Sequence, residues 1–165
     1  MHEKSIELLN KAVADELTAV HQYMFFHFHC DDQGLELLSS LFKRAAIEEM
    51  LHVEKLAERI LFLKGEVEMT AAAPVQKIHQ VAEMLKLAAR METESARDYN
   101  KWANESAANA DATTKKLFEE LVMDEERHFD LFDTEAGHLD EFGDNYLALQ
   151  SIERSKRGAT GPHGA

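Results

Sequence analysis

The sequence predicts an all-α fold: a four-helix bundle with one long crossover and a short C-terminal fifth helix. Three observations point to it. Apolar residues recur every three or four positions over long stretches, backbone breakers are scarce, and two short turns flank one long non-periodic stretch. Only two prolines and seven glycines occur in 165 residues, and three of those glycines and one proline fall in the last eight. With 45% hydrophobic and 30% charged residues the chain has the balance of one globular domain, long enough for a sizeable core.

The elements follow in order. Ile6, Leu9, Val13, Leu17, Val20 and Met24 form an apolar stripe on a first helix, which ends at Asp31-Asp32-Gln33-Gly34 with Gly at a favoured left-handed stop. A second helix spans Leu35 to Lys64 and stops at Gly65. Its length is about 45 Å at the helical rise. Glu66 to Gln76, with Ala71-Ala72-Ala73-Pro74, is the long connection. A third helix covers Val75 to Ala108, and Asn109-Ala110-Asp111 makes a tight turn with Asp111 or Thr113 as cap. The fourth helix covers Thr113 to Leu139, Gly143 interrupts, and a short fifth covers Asn145 to Arg154. Residues 1–154 thus read as one domain, and 155–165, including His163, as a flexible tail. Short connections make neighbours antiparallel, while the long one carries the chain across the bundle. An up-down bundle with one lengthened loop fits the same pattern.

A net charge of −13 repels nucleic acid and anionic lipid and attracts cations. The one basic cluster, Arg154, Lys156 and Arg157, is too short to reverse that. Cys30 stands alone, which excludes an intrachain disulfide and a cysteine-built zinc or iron–sulfur site. No apolar run reaches the roughly 18 residues of a membrane span, and the first residues are polar. The expected compartment is the cytoplasm, with no nucleic-acid or membrane partner.

Two Glu-x-x-His motifs carry the chemistry. Glu49 with His52, and Glu125 with His128, each put a carboxylate and an imidazole on one helix face. The two copies lie 76 residues apart. Stepping back 33 from each Glu reaches Glu16 and Glu92, again 76 apart, and seven residues beyond those stand Tyr23 and Tyr99 at the same offset. The matched spacing describes a duplicated helix pair whose halves face each other. Four carboxylates and two imidazoles suit iron or manganese, and two divalent cations cancel the four negative charges. Without cations the clustered glutamates repel, so some are expected to be protonated. Glu48, Glu54, Glu58, Glu119 and Glu126, interspersed with Lys and Arg, read instead as solvated surface charges.

At these residues the sequence resembles the bacterioferritin family, from Leu8 to about Arg154. Glu16-Leu17 followed by Gln22-Tyr23, Glu49-Met50 with His52, Glu58-Arg59-Ile60-Leu61-Phe62-Leu63 before Gly65, Asp124-Glu125-Glu126 with His128, and Asn145-Tyr146-Leu147 with Gln150 carry the likeness. The resemblance implies a ferritin-like four-helix bundle with two iron ions per subunit. Glu16 and Glu92 would be terminal ligands, Glu49 and Glu125 bridges, and His52 and His128 would each cap one iron. Tyr23 matches a tyrosine that takes part in electron transfer. Met50 matches a methionine that ligates haem across a twofold interface; as a residue it reads equally as interface filling. Arg44 and Glu48 stand where the family often has a histidine and an aspartate for a cavity-facing iron site. Leu131 replaces a tryptophan, and Leu56 a tyrosine.

The implied function is a ferroxidase and iron store, oxidising Fe(II) with O2 or H2O2 and holding ferric mineral in a hollow homo-oligomer of 24 or 12 subunits. The alternatives are a di-iron peroxidase or oxidase of rubrerythrin type without storage, and a DNA-protecting mini-ferritin. His21, His27, His29 and Cys30 read as packing or interface residues, as do Trp102, Phe25, Phe26, Phe28 and Phe42.

Overall fold

The computed structural model describes residues 2–159. Among them five helices form: α1 (Glu3–Asp32), α2 (Glu36–Phe62), α3 (Val81–Ala108), α4 (Ala112–Phe142) and α5 (Asp144–Ala159). Two apolar clusters fill the bundle. One gathers Tyr23, Phe26, Leu38, Phe42, Met84, Leu85 and Phe132; the other Leu9, Val13, Leu56, Ile60, Tyr99, Trp102 and Phe118. Late α1 thus meets early α2, early α3 and late α4, so α1 runs antiparallel to both α2 and α3. Helices α2 and α3 then run in the same direction, which only a crossover spanning the bundle's length permits. The up-down alternative is thereby excluded.

On α1 the buried line differs from the apolar stripe. It passes through Leu9, Val13, Glu16, Ala19, Tyr23, Phe26 and Cys30, so Glu16 takes an interior place while Leu17 is only partly covered. An acid buried in preference to its leucine neighbour needs compensation that a core alone does not give.

Helix α3 begins at Val81, six residues later than the sequence predicts. The reason lies on α1, where Asn10, Ala14, Thr18 and Gln22 step by four and strap the crossover down. Asn10 bonds Glu66 O and Glu68 N (2.9 Å each), Ala14 O accepts from Ala72 N (3.1 Å), and Thr18 Oγ1 accepts from Ala72 N (2.9 Å). Gln22 Nε2 donates to Gln76 O (2.9 Å) while its Oε1 accepts from Gln76 N (2.8 Å), and Gln33 Nε2 donates to His79 O (3.2 Å). These bonds hold residues 75–80 out of helical geometry.

The turns follow their chemistry. Gly34 adopts φ 76°, which favours glycine. At the end of α2 the left-handed residue is Lys64 (φ 65°), and Gly65 serves closeness instead: a Cβ there would lie 2.8 Å from Ile6 Cγ2. Asp111 caps α4, accepting from Thr114 N (3.1 Å), and Arg59 Nη2 donates to it at 2.7 Å. Burial pushes the Asp111 carboxyl up, but the Thr114 hydrogen bonds and the Arg59 charge hold it at about 2.

Helix α5 continues five residues past Arg154, a correction to the expected tail. Arg154 Nη1 bonds Asp31 Oδ1 (2.8 Å) and Arg157 Nη1 bonds Glu36 Oε1 (3.1 Å), pinning the extra turn. The rest of that tail, 160–165 with His163, lies outside the described residues. His27 Nδ1 pairs with Ser39 O (2.8 Å), and His29 packs on Phe25 and His79. Phe28, by contrast, is 58% exposed and belongs to no core. No helix among the described residues is long and apolar enough to cross a membrane.

Candidate metal centre

Midway along the bundle, between the two apolar clusters, the six side chains singled out by the repeat converge. Glu16 comes from α1, Glu49 and His52 from α2, Glu92 from α3, and Glu125 and His128 from α4; none is more than 3% exposed. They form two groups that could each hold a cation, Glu16–Glu49–His52–Glu125 and Glu49–Glu92–Glu125–His128. Within each group the ligand atoms lie within 4.8 Å of one another, and Glu49 and Glu125 belong to both.

Both imidazoles aim Nδ1 inward. His52 Nδ1 lies 3.0 Å from Glu49 Oε2, 3.2 Å from Glu125 Oε1 and 3.3 Å from Glu16 Oε1. His128 Nδ1 lies 2.7 Å from Glu49 Oε1 and 3.7 Å from both Glu92 Oε2 and Glu125 Oε1. Outward, each ring meets a carboxylate from the opposite half: His52 Nε2 with Asp124 Oδ2 (3.0 Å) and His128 Nε2 with Glu48 Oε2 (2.6 Å). Such an outer carboxylate fixes the ring's tautomer and raises its basicity as a ligand.

The reading of Glu48 as a solvated surface charge is therefore corrected: it is part exposed, yet it reaches His128. Its counterpart Asp124, which the sequence offers only as part of the family likeness, lies 76 residues further on, and each acid stands one position before a repeated Glu. The tyrosines cross over too. Tyr23 O–H donates to Glu92, and Tyr99 O–H donates to Glu16. Both phenols are held well above their usual range by burial, then chiefly by the carboxylate each one faces.

Burial and the neighbouring carboxylates push Glu49 and Glu125 well above the usual carboxylate range. For Glu16 burial acts upward too, but hydrogen bonds from Glu49, His52 and Tyr99 bring it below that range. Burial pulls the imidazoles down, yet the surrounding acids push His128 to about 9 and His52 well above its ordinary value. These shifts favour protons on Glu49, Glu125 and both imidazoles, which offsets the repulsion among the clustered acids. Two buried oxygens, Glu16 Oε2 and Glu92 Oε2, still have no hydrogen-bond partner, and Glu125 Oε1 faces only the two imidazole nitrogens, at 3.2 and 3.7 Å. Orphaned carboxylate oxygens facing two inward imidazole nitrogens make a donor set for hard or borderline cations.

A recess of about 100 Å³ opens beside His128, lined by Leu41, Arg44, Ala45, Glu48, Arg127, Leu131 and Phe132. Met50 lies apart from the cluster, 51% exposed beside the exposed Ile47 and Leu51.

The chain matches the model of the ferritin-like domain over residues 6–142. It is 35% identical over 145 residues to a bacterioferritin of Desulfovibrio desulfuricans, covering 88% of this chain and 81% of that one. To a bacterioferritin of Rhodobacter capsulatus it is 34% identical over 147 residues, 88% and 91% of the two chains. Among solved structures it resembles the Desulfovibrio desulfuricans bacterioferritin, described with its di-iron site in different catalytic states. There the TM-score is 0.88 and the identity 34%, over 90% of this chain and 86% of that one.

Proposed function

Given that the chain belongs to the bacterioferritin family within the ferritin-like domain family, we propose that it is a ferroxidase and iron store. It takes up two ferrous ions per subunit at the buried centre, oxidises them with O2 or H2O2, and holds ferric mineral in a hollow homo-oligomer of 24 or 12 copies in the cytoplasm. The observation that carries this reading is the pair of overlapping ligand groups with their orphaned oxygens.

The residues fit iron. Glu16 with His52 would hold one ion and Glu92 with His128 the other, while Glu49 and Glu125 would bridge them. Bound there, iron supplies one electron per ion as ferrous becomes ferric. The chain does the rest. Glu49 and Glu125 release their protons as cations enter, so uptake is coupled to proton loss. Phe132, Phe42, Phe118 and Leu121 in the flanking clusters exclude water and keep the centre's charges strongly felt. Tyr23 and Tyr99 anchor Glu92 and Glu16, and Tyr23 would donate an electron to the oxidant at the centre. The apolar surface around Ile47, Met50 and Leu51 supports contact with further copies.

Stopped-flow oxidation tests the assignment. Two ferrous ions per subunit are oxidised in a rapid phase, and Glu49→Ala or His128→Ala abolishes it. An unchanged rapid phase in both variants refutes the site. Native mass separates storage from a di-iron peroxidase, since a large shell supports the first and a dimer the second. A haem role for Met50 is checked by a Soret band in protein expressed with haem supply and its loss in Met50→Leu.

A further inference from the structure

The duplication gives each residue of α1 and α2 a counterpart 76 positions later, and the departures from that symmetry are informative. The outer acids obey it: Glu48 supports His128, and Asp124 supports His52. Arg127 does not, for its counterpart is Leu51. Arg127 Nη2 lies 2.5 Å from Glu48 Oε2, the same oxygen that faces His128 Nε2 at 2.6 Å. From Asp124 it is 3.8 Å away, and it meets Oδ1 rather than the Oδ2 that faces His52. Arg44, whose counterpart is Glu120, lines the same recess beside His128.

Two effects of one sign follow. A carboxylate oxygen shared with a guanidinium has less negative charge to lend an imidazole, so His128 is the less basic ligand. Two arginines at the recess also repel a divalent cation bound next to that imidazole, and the His52 side has no such pair in its counterpart positions. We propose that Arg127, acting through Glu48, makes the two metal positions unequal, so that the His52 position fills first and the His128 position is the weaker. Arg127 and Glu48 are positioning residues. They touch the imidazole and its support, not the iron. The proposal rests on the di-iron reading of the centre.

Titration of metal-free protein with Co(II), followed by calorimetry and visible absorption, tests it. The unaltered chain takes two Co(II) in resolved steps, with affinities separated by about tenfold or more, the size typical of outer-ligand effects. Arg127→Leu, which installs the residue of its counterpart, strengthens the second step and narrows the gap. Arg127→Lys keeps part of the gap, and Glu48→Gln widens it by weakening the second step. His52→Ala removes the tighter step and His128→Ala the weaker. Equal affinities in the unaltered chain, an unchanged gap in Arg127→Leu, or loss of the tighter step in His128→Ala overturns the inequality while leaving the di-iron centre standing. Failure to bind two Co(II), or two-ion binding that survives Glu49→Ala, overturns the centre itself and the inequality with it.

Discussion

The helix pairs α1–α2 and α3–α4 bury the same ligand types at the same steps, yet they close their ends by different means. In the second pair the turn before α4 carries its own cap: Asp111 accepts from Thr114 N, and Arg59 of α2 reaches across to hold it. The equivalent positions in the first pair are Leu35 and Leu38, and leucine offers no capping oxygen. There Gln150 Oε1 of α5 accepts from Leu38 N at 3.2 Å, doing from a distant helix what Asp111 does locally. The aromatic packing diverges in the same graded way. Tyr23 packs on Phe42 and Phe132, while Tyr99 packs on Phe118, the counterpart of Phe42, and on Trp102. Strict likeness is confined to the middle, where both halves contribute to one buried cluster of ligand residues, and relaxes toward the ends, where any chemistry that satisfies the backbone suffices.

The largest expected effect comes from the shared middle. Glu49, Glu125 and His128 bind protons more tightly in the folded, metal-free chain than in the unfolded one. The folded state therefore holds the extra protons, and stability falls as pH rises. For His128 the contribution is fully present below the ordinary histidine range and is lost as pH passes about 9. Metal-free protein should melt at progressively lower temperature from about pH 6 to pH 9. Added Co(II) should raise the melting temperature most at the alkaline end, because cations replace those protons. Thermal melts with and without metal check this, and a metal-free melting temperature that rises over the range contradicts it.

A smaller effect separates the two ends. Asp111→Ala removes a cap, the Arg59 pairing and the Thr114 bonds, for an expected loss of about 2 kcal/mol. Gln150→Ala leaves Leu38 N unsatisfied and loosens α5, for about 1 kcal/mol. Urea unfolding of the two variants measures the order, and a larger loss in Gln150→Ala would show that α5 matters more than the local cap. The smallest effect lies at the crossover. Thr18→Val keeps the shape but drops the bonds to Ala72 N and Ala73 N, while Ala14 O still accepts from Ala72 N, for a loss of about 0.5 kcal/mol and faster amide exchange at those residues.

What could be read in the sequence follows the same division. The six converging residues were legible because repetition at one offset makes Glu16 and Glu92 stand out from other glutamates. Glu48 and Asp124 share that offset, but an acid beside lysines and arginines looks like any surface charge, and only the geometry shows each crossing to the opposite imidazole. The delayed start of α3 was not legible either. Val75 to Gln80 carry no local signal against helix, and their path is set by Gln22 of α1 and Gln33 just past its end. Asp111 was readable as a cap because capping is local. Gln150 was not, since its partner lies 112 residues away.

The overlap of the two ligand groups has a consequence for how the molecule holds together. Neither helical hairpin owns a complete set: α1–α2 supplies all of one group except Glu125, and α3–α4 all of the other except Glu49. An ion captured there would be a rivet through the seam between hairpins, placed where packed glutamates would otherwise pry it apart. On the proposed function, iron supply would govern the tightness of the scaffold as well as its cargo, and a starved subunit would part most easily along its midline.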